Sequence, residues 1–288
     1  SFSKESFISI NNIIFGTLIF STMLGILYPL IYEYLYLQKI SVGAPFYNAI
    51  FVPSTILAAL FLFFSIDSKW QRTYKIVNTY SPMILSVILS LLITVLVAIL
   101  YKISNLWILV SLYTGFLIII RYIFVIFNFF FRSKYSNPYS ISAHIGLGLL
   151  IVSIALNSEF SSERAINIKL KGNDTYMGHE INFDNLELIK MSNHDSVRAS
   201  FIVNDPKGKR FILSPEKRKY FTRGQITTET AIHATPLKDI YITLGDQLDD
   251  GSWIVNIQFN YFIRWVWFSA ILMALAGSLL AFSLRRAN

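Results

Sequence analysis

The sequence has no cysteine, and only 15% of its 288 residues are charged. Without cysteine, the chain has no disulfide, thiolate metal site, iron–sulfur cluster or cysteine nucleophile of its own. A soluble domain averages about 25% charged residues, so the shortage of charge excludes an ordinary soluble protein. The composition is apolar instead, with 54% hydrophobic and 16% aromatic residues.

Six apolar runs are long enough to cross a bilayer. A hydrocarbon core about 30 Å thick needs a helix of about 20 mostly apolar residues. The sequence therefore predicts a polytopic α-helical membrane protein with about six transmembrane helices. The chain starts at Ser1, which suggests a processed chain or the later part of a longer one. The runs are Ile10–Tyr32, Ala49–Ile66, Pro82–Leu100, Leu106–Phe127, Pro138–Asn157 and Phe262–Ser283.

The stretch between the fifth and sixth runs alternates apolar and polar residues with period two, as strands do. Turn residues such as Asp249-Asp250-Gly251 separate the alternating segments. We predict a small extracytoplasmic antiparallel β domain, a barrel or a sandwich, inserted before the last helix. The regions are then 1–157 with five helices, 158–261 with the β domain, and 262–288 with the last helix and a basic cytoplasmic tail. Apolar residues of these alternating patterns include Ile168, Leu170, Ile181, Leu188, Ile254 and Ile257.

The net charge of +8 reports topology rather than nucleic-acid binding. Residues 158–264 contain 14 Lys and Arg and 14 Asp and Glu, so the excess lies in the membrane region. Basic residues in short loops remain on the cytoplasmic side. One set of loops and tails carries eight of them and the alternate set only Lys39 and Lys102, so both termini are expected inside and the β domain outside. The eight are Lys4, Lys69, Arg72, Lys75, Arg132, Lys134, Arg285 and Arg286.

His144 is the one histidine within an apolar run. Asn137 and Pro138 are typical of a helix start, which places His144 about 9 Å along the helix. An imidazole in a membrane span is costly, so a function is expected. It could ligate haem iron, relay protons or hydrogen-bond across a helix interface. Gly146 and Gly148 would admit another helix or a flat macrocycle.

Other candidate residues have weaker signals. Arg121 interrupts the fourth run, where it could pair with a buried carboxylate or haem propionate, or snorkel to headgroups. His179, His194 and His233 lack metal-ligand spacing and are expected at the solvated surface. A dense charged turn is predicted to dock a partner or an anionic group, or to be a solvated face; it comprises Pro215, Glu216, Lys217, Arg218, Lys219 and Tyr220.

Several segments taken together, in this order along the chain, resemble the CcmF-type cytochrome c haem lyase family. No segment is diagnostic alone, but their ordered occurrence covers nearly the whole chain. They are Asn11-Asn12, Gly25–Leu30, Ile40–Asn48, Ala143–Gly146, Leu213–Tyr220, Lys238–Gly245 and Ile263–Trp267.

The resemblance implies cytochrome c maturation. Such a protein receives haem from a haem chaperone and helps attach it to the Cys-x-x-Cys-His thiols of an apocytochrome c kept reduced by a thiol-reducing partner. His144 matches a transmembrane histidine that helps hold a b-type haem. The sequence lacks the family's tryptophan-rich segment, so it looks like the C-terminal half, working with the N-terminal half and inactive or weakly haem-binding alone.

The family resemblance places the chain in the bacterial inner (plasma) membrane, with the β domain in the periplasm, or in the mitochondrial inner membrane. Membrane lipid is an expected partner and nucleic acid is not. Two alternatives stay open from the residues alone. One is a subunit of a transporter or channel, and the other is a structural anchor that displays a β domain.

Overall fold

The computed structural model describes residues 3–66, 68, 80–132, 137–222 and 224–287. Six helices in this part of the chain are long and apolar enough to cross a membrane, which confirms the predicted polytopic α-helical class. They extend beyond the predicted apolar runs at most ends. Their bounds are α1 (Lys4–Tyr36), α2 (Ala44–Ser65), α3 (Tyr80–Tyr101), α4 (Leu106–Arg132), α5 (Pro138–Phe160) and α6 (Ile263–Ala287).

Local sequence signals account for several helix ends. Asn105 Oδ1 accepts the backbone N–H of Trp107 at 3.0 Å and caps α4. Asn137 Oδ1 does the same for Tyr139 at the start of α5, also at 3.0 Å, which confirms the predicted cap. At the other end of a helix, Leu37 terminates α1 in the left-handed conformation, with its N–H bonded to Glu33 O.

The chain divides into two compact units, a helical unit, Ser1–Leu156 with Trp265–Asn288, and a β unit, Asn157–Arg264. Within the helical unit, α4 is the central helix, with half of its apolar window buried against 11% for α1 and α6. A small apolar core joins α2, α4 and α5. The large exposed apolar faces of the other helices are those expected against lipid.

The β unit contains ten strands among its described residues, in two antiparallel sheets. One sheet has the order β1-β10-β9-β8. The other has the order β2-β3-β4-β6-β7, with β5 also paired to β4. The strands are β1 (Ser162–Ile168), β2 (Asn173–Tyr176), β3 (His179–Lys190), β4 (His194–Asn204), β5 (Arg210–Leu213), β6 (Glu216–Tyr220), β7 (Ile226–Glu229), β8 (Ala231–Ala234), β9 (Lys238–Gln247) and β10 (Trp253–Tyr261).

The two sheets share one apolar core, so the β unit is a sandwich. Phe183 of β3 and Phe201 of β4 are fully buried and stack at 4.7 Å between ring centroids. Opposite them, Ile257 and Phe259 of β10 are also fully buried. This confirms the β domain that the period-two pattern predicted before the last helix.

Three apolar residues of the predicted patterns are not buried. Leu188 is 79% exposed, although its pairing with Val197 places it on the same face as Leu186, which packs against the core. Ile254 is partly exposed, because β10 alternates regularly and buries Trp253 and Val255 on either side of it. Leu170 is 47% exposed because β1 ends two residues earlier.

The charged segment predicted as a turn is a strand. Glu216–Tyr220 forms β6, which pairs with β4 on one side and β7 on the other. The prediction of a turn was wrong because a run of charge without apolar alternation carries no strand signal.

The entering and leaving ends of the β unit are joined directly. Asn157 Nδ2 donates to Tyr261 O at 2.6 Å and to Ser161 Oγ at 2.9 Å. Ser161 Oγ in turn accepts the backbone N–H of Tyr261 at 3.2 Å. Residues 104 positions apart therefore meet in one small polar cluster.

Candidate functional site

His144 lies two turns into α5, with its imidazole half-buried. Its Nδ1 is 2.6 Å from Ser140 O and 3.3 Å from Ser140 Oγ. A carbonyl oxygen only accepts, so the neutral ring carries its proton on Nδ1 and leaves the Nε2 lone pair available. This arrangement is the one that metal-ligating histidines adopt, with the second ring nitrogen fixed by a backbone carbonyl.

Tyr122 of α4 fixes the plane of the same ring. The phenol and imidazole centroids are 5.0 Å apart and the planes differ by 4°. Tyr122 is itself only 6% exposed. His144 is therefore held from two directions, by its own helix and by a stacked aromatic ring on the neighbouring helix.

A cavity of about 550 Å³ opens beside this pair, lined by α1, α2, α4 and α5. Its size is within the usual range of small-molecule sites, about 300–1,000 Å³. The lining is divided evenly between apolar or aromatic side chains and polar ones, and the polar ones include Lys4, Asn11 and Asn137. Asn11 Oδ1 is buried and has no hydrogen-bond partner among the described residues. A buried acceptor of this kind is costly unless a further group satisfies it.

Arg121 is 3% exposed inside the helical unit. This burial favours an interior role over snorkelling to headgroups, where the side chain would be exposed. Although Tyr122 follows Arg121 directly, the cavity lining contains Tyr122 and not Arg121. The structure therefore brings His144 and Tyr122 together but leaves Arg121 outside their cavity.

The two glycines beside His144 serve helix packing. A Cβ on Gly148 would lie 2.9 Å from Gly115 O of α4, and a Cβ on Gly146 would lie 2.8 Å from Met273 Cγ of α6. Both contacts are closer than real Cβ atoms make, so a side chain at Gly148 would push against the α4 backbone, and one at Gly146 would displace the Met273 side chain. Of the two alternatives for this pair, the structure favours the approach of another helix.

The charged strand β6 has an internal network. Glu216 is 8% exposed and accepts from Arg198 Nε at 2.6 Å and from Arg218 Nε at 3.0 Å. Burial alone would raise the pKa of Glu216, but these arginine bonds outweigh burial and lower it. Lys217 pairs with Asp246, and the Tyr220 ring lies 5.1 Å from that of His194. These contacts give the strand a structural role within the sandwich, and Pro215 before it is buried.

His179 is buried, and its expected place at the surface was wrong. It is 2% exposed, its Nδ1 donates to Met177 O at 2.9 Å, and its Nε2 accepts from Lys238 Nζ at 3.0 Å. Burial lowers the pKa of His179 and that of Lys238 below their ordinary values. The signal was present in the sequence, because His179 shares the inward period-two face of Ile181 and Phe183.

The other two histidines of the β unit also have ring partners. His233 stacks on Phe211 at 3.8 Å and 12°, and His194 packs beside Tyr220. Both are half-buried rather than solvated. His144 is thus the candidate ligand of the helical unit, and the three remaining histidines belong to the β sandwich.

The family model, two similar sequences and a similar solved structure all carry the same family name. Residues 159–260 match the family described as the CcmF C-terminal beta-sandwich. Over 98% of its length, the chain is 30% identical to the cytochrome c-type biogenesis protein CcmF of Escherichia coli and 28% identical to that of Pseudomonas aeruginosa. A solved structure described as the cytochrome c heme lyase CcmF covers 96% of the chain with a TM-score of 0.74 at 15% identity, which shows the shared fold.

The matches cover only part of the relatives. The chain spans 44% of the length of each of these two biogenesis proteins and 45% of the solved chain. The shared part is the region of six apolar helices with a sandwich before the last helix, and the chain is accordingly a multi-pass membrane protein.

Proposed function

Because the chain corresponds to the C-terminal half of CcmF-type cytochrome c biogenesis proteins, we propose that it acts in cytochrome c maturation as part of a membrane haem lyase. The complete lyase attaches haem to the Cys-x-x-Cys-His thiols of an apocytochrome c. The observation that carries the proposal is His144, held in the ligand tautomer at the edge of a cavity of about 550 Å³.

The residues around this cavity fit a haem group. His144 would hold the iron through Nε2, and haem b would supply redox chemistry there. The other histidines of the sequence, His179, His194 and His233, all belong to the β unit. A second residue holding the iron would therefore come from the N-terminal half of the lyase, whether as a separate subunit or as an earlier part of the same chain.

Two contacts prepare His144 for this role without a bound group. The Ser140 carbonyl keeps the proton on Nδ1, which raises the basicity of Nε2. Tyr122 holds the ring plane, so little rotational freedom is lost when a ligand bond forms. Arg121 would act at longer range, as a buried positive charge for a propionate.

The proposed partners and the location of the β domain follow from the family resemblance. The partners are the N-terminal half, a haem chaperone, apocytochrome c and its thiol-reducing partner, with Pro215–Tyr220 as the candidate docking segment. This sequence contains no cysteine, so the proposal takes the reacting thiols from the substrate. The β domain, 158–261, would face the periplasm of a bacterium or the mitochondrial intermembrane space, between membrane region 1–157 and the last helix, 262–288.

The orientation rests on the basic residues of loops and tails. Of the eight assigned to the inner face, Lys69, Arg72, Lys75 and Lys134 lie outside the described residues. The proposal for them therefore stands on the positive-inside rule alone.

The test is haem content after co-expression with the N-terminal half of a CcmF-type protein. The purified pair should show a b-type spectrum that His144→Ala removes while the two halves still co-purify. His194→Ala is the matched control and should leave the spectrum unchanged, since His194 lies in the β unit. An unchanged Soret band in His144→Ala contradicts the ligand assignment. A haem-free pair would instead favour a transporter, a channel or an anchor.

A further inference from the structure

Three turns lie at the end of the β sandwich where the chain arrives from α5 and leaves for α6. They are the β2–β3 turn (177–178), the β4–β5 turn (205–209) and the β8–β9 turn (235–237), here called the basal turn cluster. The first two turns touch, because a Cβ on Gly178 would lie 3.2 Å from Pro206 Cγ. The first and third are joined by the bond between His179 and Lys238, each the first strand residue after its turn.

Both chain crossings are bonded to this cluster. Ser162, two residues after α5, bonds through Oγ to the hydroxyl of Tyr176, which precedes the first turn. Phe262, immediately before α6, donates its backbone N–H to Leu237 O in the third turn at 2.9 Å. One residue into the helix, Arg264 Nε donates to Asp239 Oδ1 at 2.9 Å.

These bonds set the depth of the turns relative to a bilayer. The candidate membrane spans end at Phe160 and begin at Ile263, so the residues bonded to the cluster lie at the limit of the apolar core. Tyr261 and Trp265 stand at the same place in the chain, as interfacial aromatic residues do. Turns bonded to residues at this limit would lie at the level of lipid headgroups.

The exposed side chains of the basal turn cluster suit a position among lipid headgroups. Met177 is 46% exposed and Leu237 is 56% exposed, each at the tip of its turn. Lys207 and Lys209 are exposed beside them. Asp205 is the carboxylate of these turns, and it accepts the backbone N–H groups of Lys207 and Lys209 at 2.9 and 2.7 Å, which closes its own loop.

The opposite end of the sandwich carries exposed charges of both signs, with Asp249 and Asp250 in the β9–β10 turn and Lys169 and Lys171 in the β1–β2 turn. There the lysines face carboxylates, since Lys169 pairs with Asp250 and Lys171 with Asp184. Exposed apolar tips combined with lysines are the features of surfaces that bind anionic membranes. The basal turn cluster has both features at the end to which the two connecting helices are joined.

We propose that the basal turn cluster rests on anionic lipid headgroups, with Met177 and Leu237 inserted at the headgroup boundary and Lys207 and Lys209 beside lipid phosphates. This contact is independent of haem and goes beyond the proposed function. It anchors the β unit on the membrane surface from which its two connecting helices emerge.

The absence of cysteine permits a clean test with the full chain. Single variants Met177→Cys and Leu237→Cys would carry an environment-sensitive fluorophore in nanodiscs that contain headgroup spin-labelled lipid. Met191→Cys is the matched control, since Met191 is 52% exposed in the β3–β4 turn at the opposite end. Labels at 177 and 237 should be quenched strongly, and the label at 191 should not.

The lipid dependence identifies the partner. Quenching should increase when phosphatidylglycerol replaces part of the phosphatidylcholine. In the anionic discs, Lys207→Ala with Lys209→Ala should weaken the contact about fivefold for each lysine. Equal quenching at 177, 237 and 191 overturns the proposal, as does quenching that ignores both lipid charge and the lysines. Shielding that appears only with a soluble protein partner would also overturn it, in favour of a protein docking site.

Discussion

Acidification should lower the free energy of unfolding of the β unit through protonation of His179. Its ring is 2% exposed, with Nδ1 bonded to Met177 O and Nε2 accepting from Lys238. Burial is the largest influence and lowers the pKa of His179 below 6.5. The backbone bond to Met177 and the charge of Asp205 oppose this effect, while the charges of Lys238 on β9 and His233 on β8 add to it.

The direction of this pH effect follows from comparing His179 in the folded and unfolded states. Below pH 6.5 the unfolded chain protonates this histidine while the native ring stays neutral, so protons favour unfolding. The contribution is complete above pH 6.5 and decreases as the pH falls towards the lower native pKa. Its slope is at most about 1.4 kcal/mol per pH unit, a factor of about ten in the opening equilibrium. Protonation would also turn Nε2 into a donor facing the Lys238 ammonium.

Amide hydrogen exchange of the full chain measures this effect, with β3 and β9 as reporters. After correction for intrinsic rates, opening should become up to about tenfold more frequent between about pH 6.5 and about pH 5.5. His179→Gln should flatten this dependence in β3, because glutamine does not titrate. His194→Gln should leave it intact. Equal protection at both pH values, or the same slope in His179→Gln, would refute the reasoning.

Three further predictions concern packing and the site. Phe201→Ala should lower the free energy of unfolding of the β unit by about 3–5 kcal/mol, measured by denaturant titration, because the ring is fully buried against Phe183. Gly148→Leu should lower the melting temperature in detergent by forcing α4 from α5, while Gly277→Leu, with open space around it, should not. Tyr122→Leu should weaken haem retention by the lyase about tenfold, and Tyr122→Phe should preserve it; equal retention in both variants would argue against the stacking role.

The sequence predicts the helical architecture well because length and apolarity alone decide whether a helix can cross a bilayer. The period-two pattern likewise predicts the sandwich, and it fails for single residues whose burial depends on where the strand lies in the sandwich. Leu188 is on the face of Leu186 but outside the apolar core, and Ile254 lies between the buried Trp253 and Val255. Strand β6 was missed because its side chains are charged, and their ion-pair partners, such as Arg198 for Glu216, lie in distant segments.

The candidate site, too, could be predicted only in part from the sequence. His144 is visible in the sequence because a histidine in an apolar helix is costly. Its stacking partner Tyr122 is not, because the alignment of α4 with α5 depends on the backbone approach of Gly115 and Gly148. Asn11 is more remote still, since it enters the cavity from α1, and no spacing relates it to α5.

The bond between Asn157 and Tyr261 has a consequence for modularity. The two ends of the β unit are joined by a hydrogen bond between Asn157 and Tyr261. They are therefore as close as a short peptide would hold them. A few linking residues could replace the whole sandwich, or another domain with adjacent termini could be spliced in, without changing the spacing of α5 and α6 at that point. The sandwich is therefore an insertion that could be exchanged, and the polar cluster of Asn157, Ser161 and Tyr261 marks where it joins the helices.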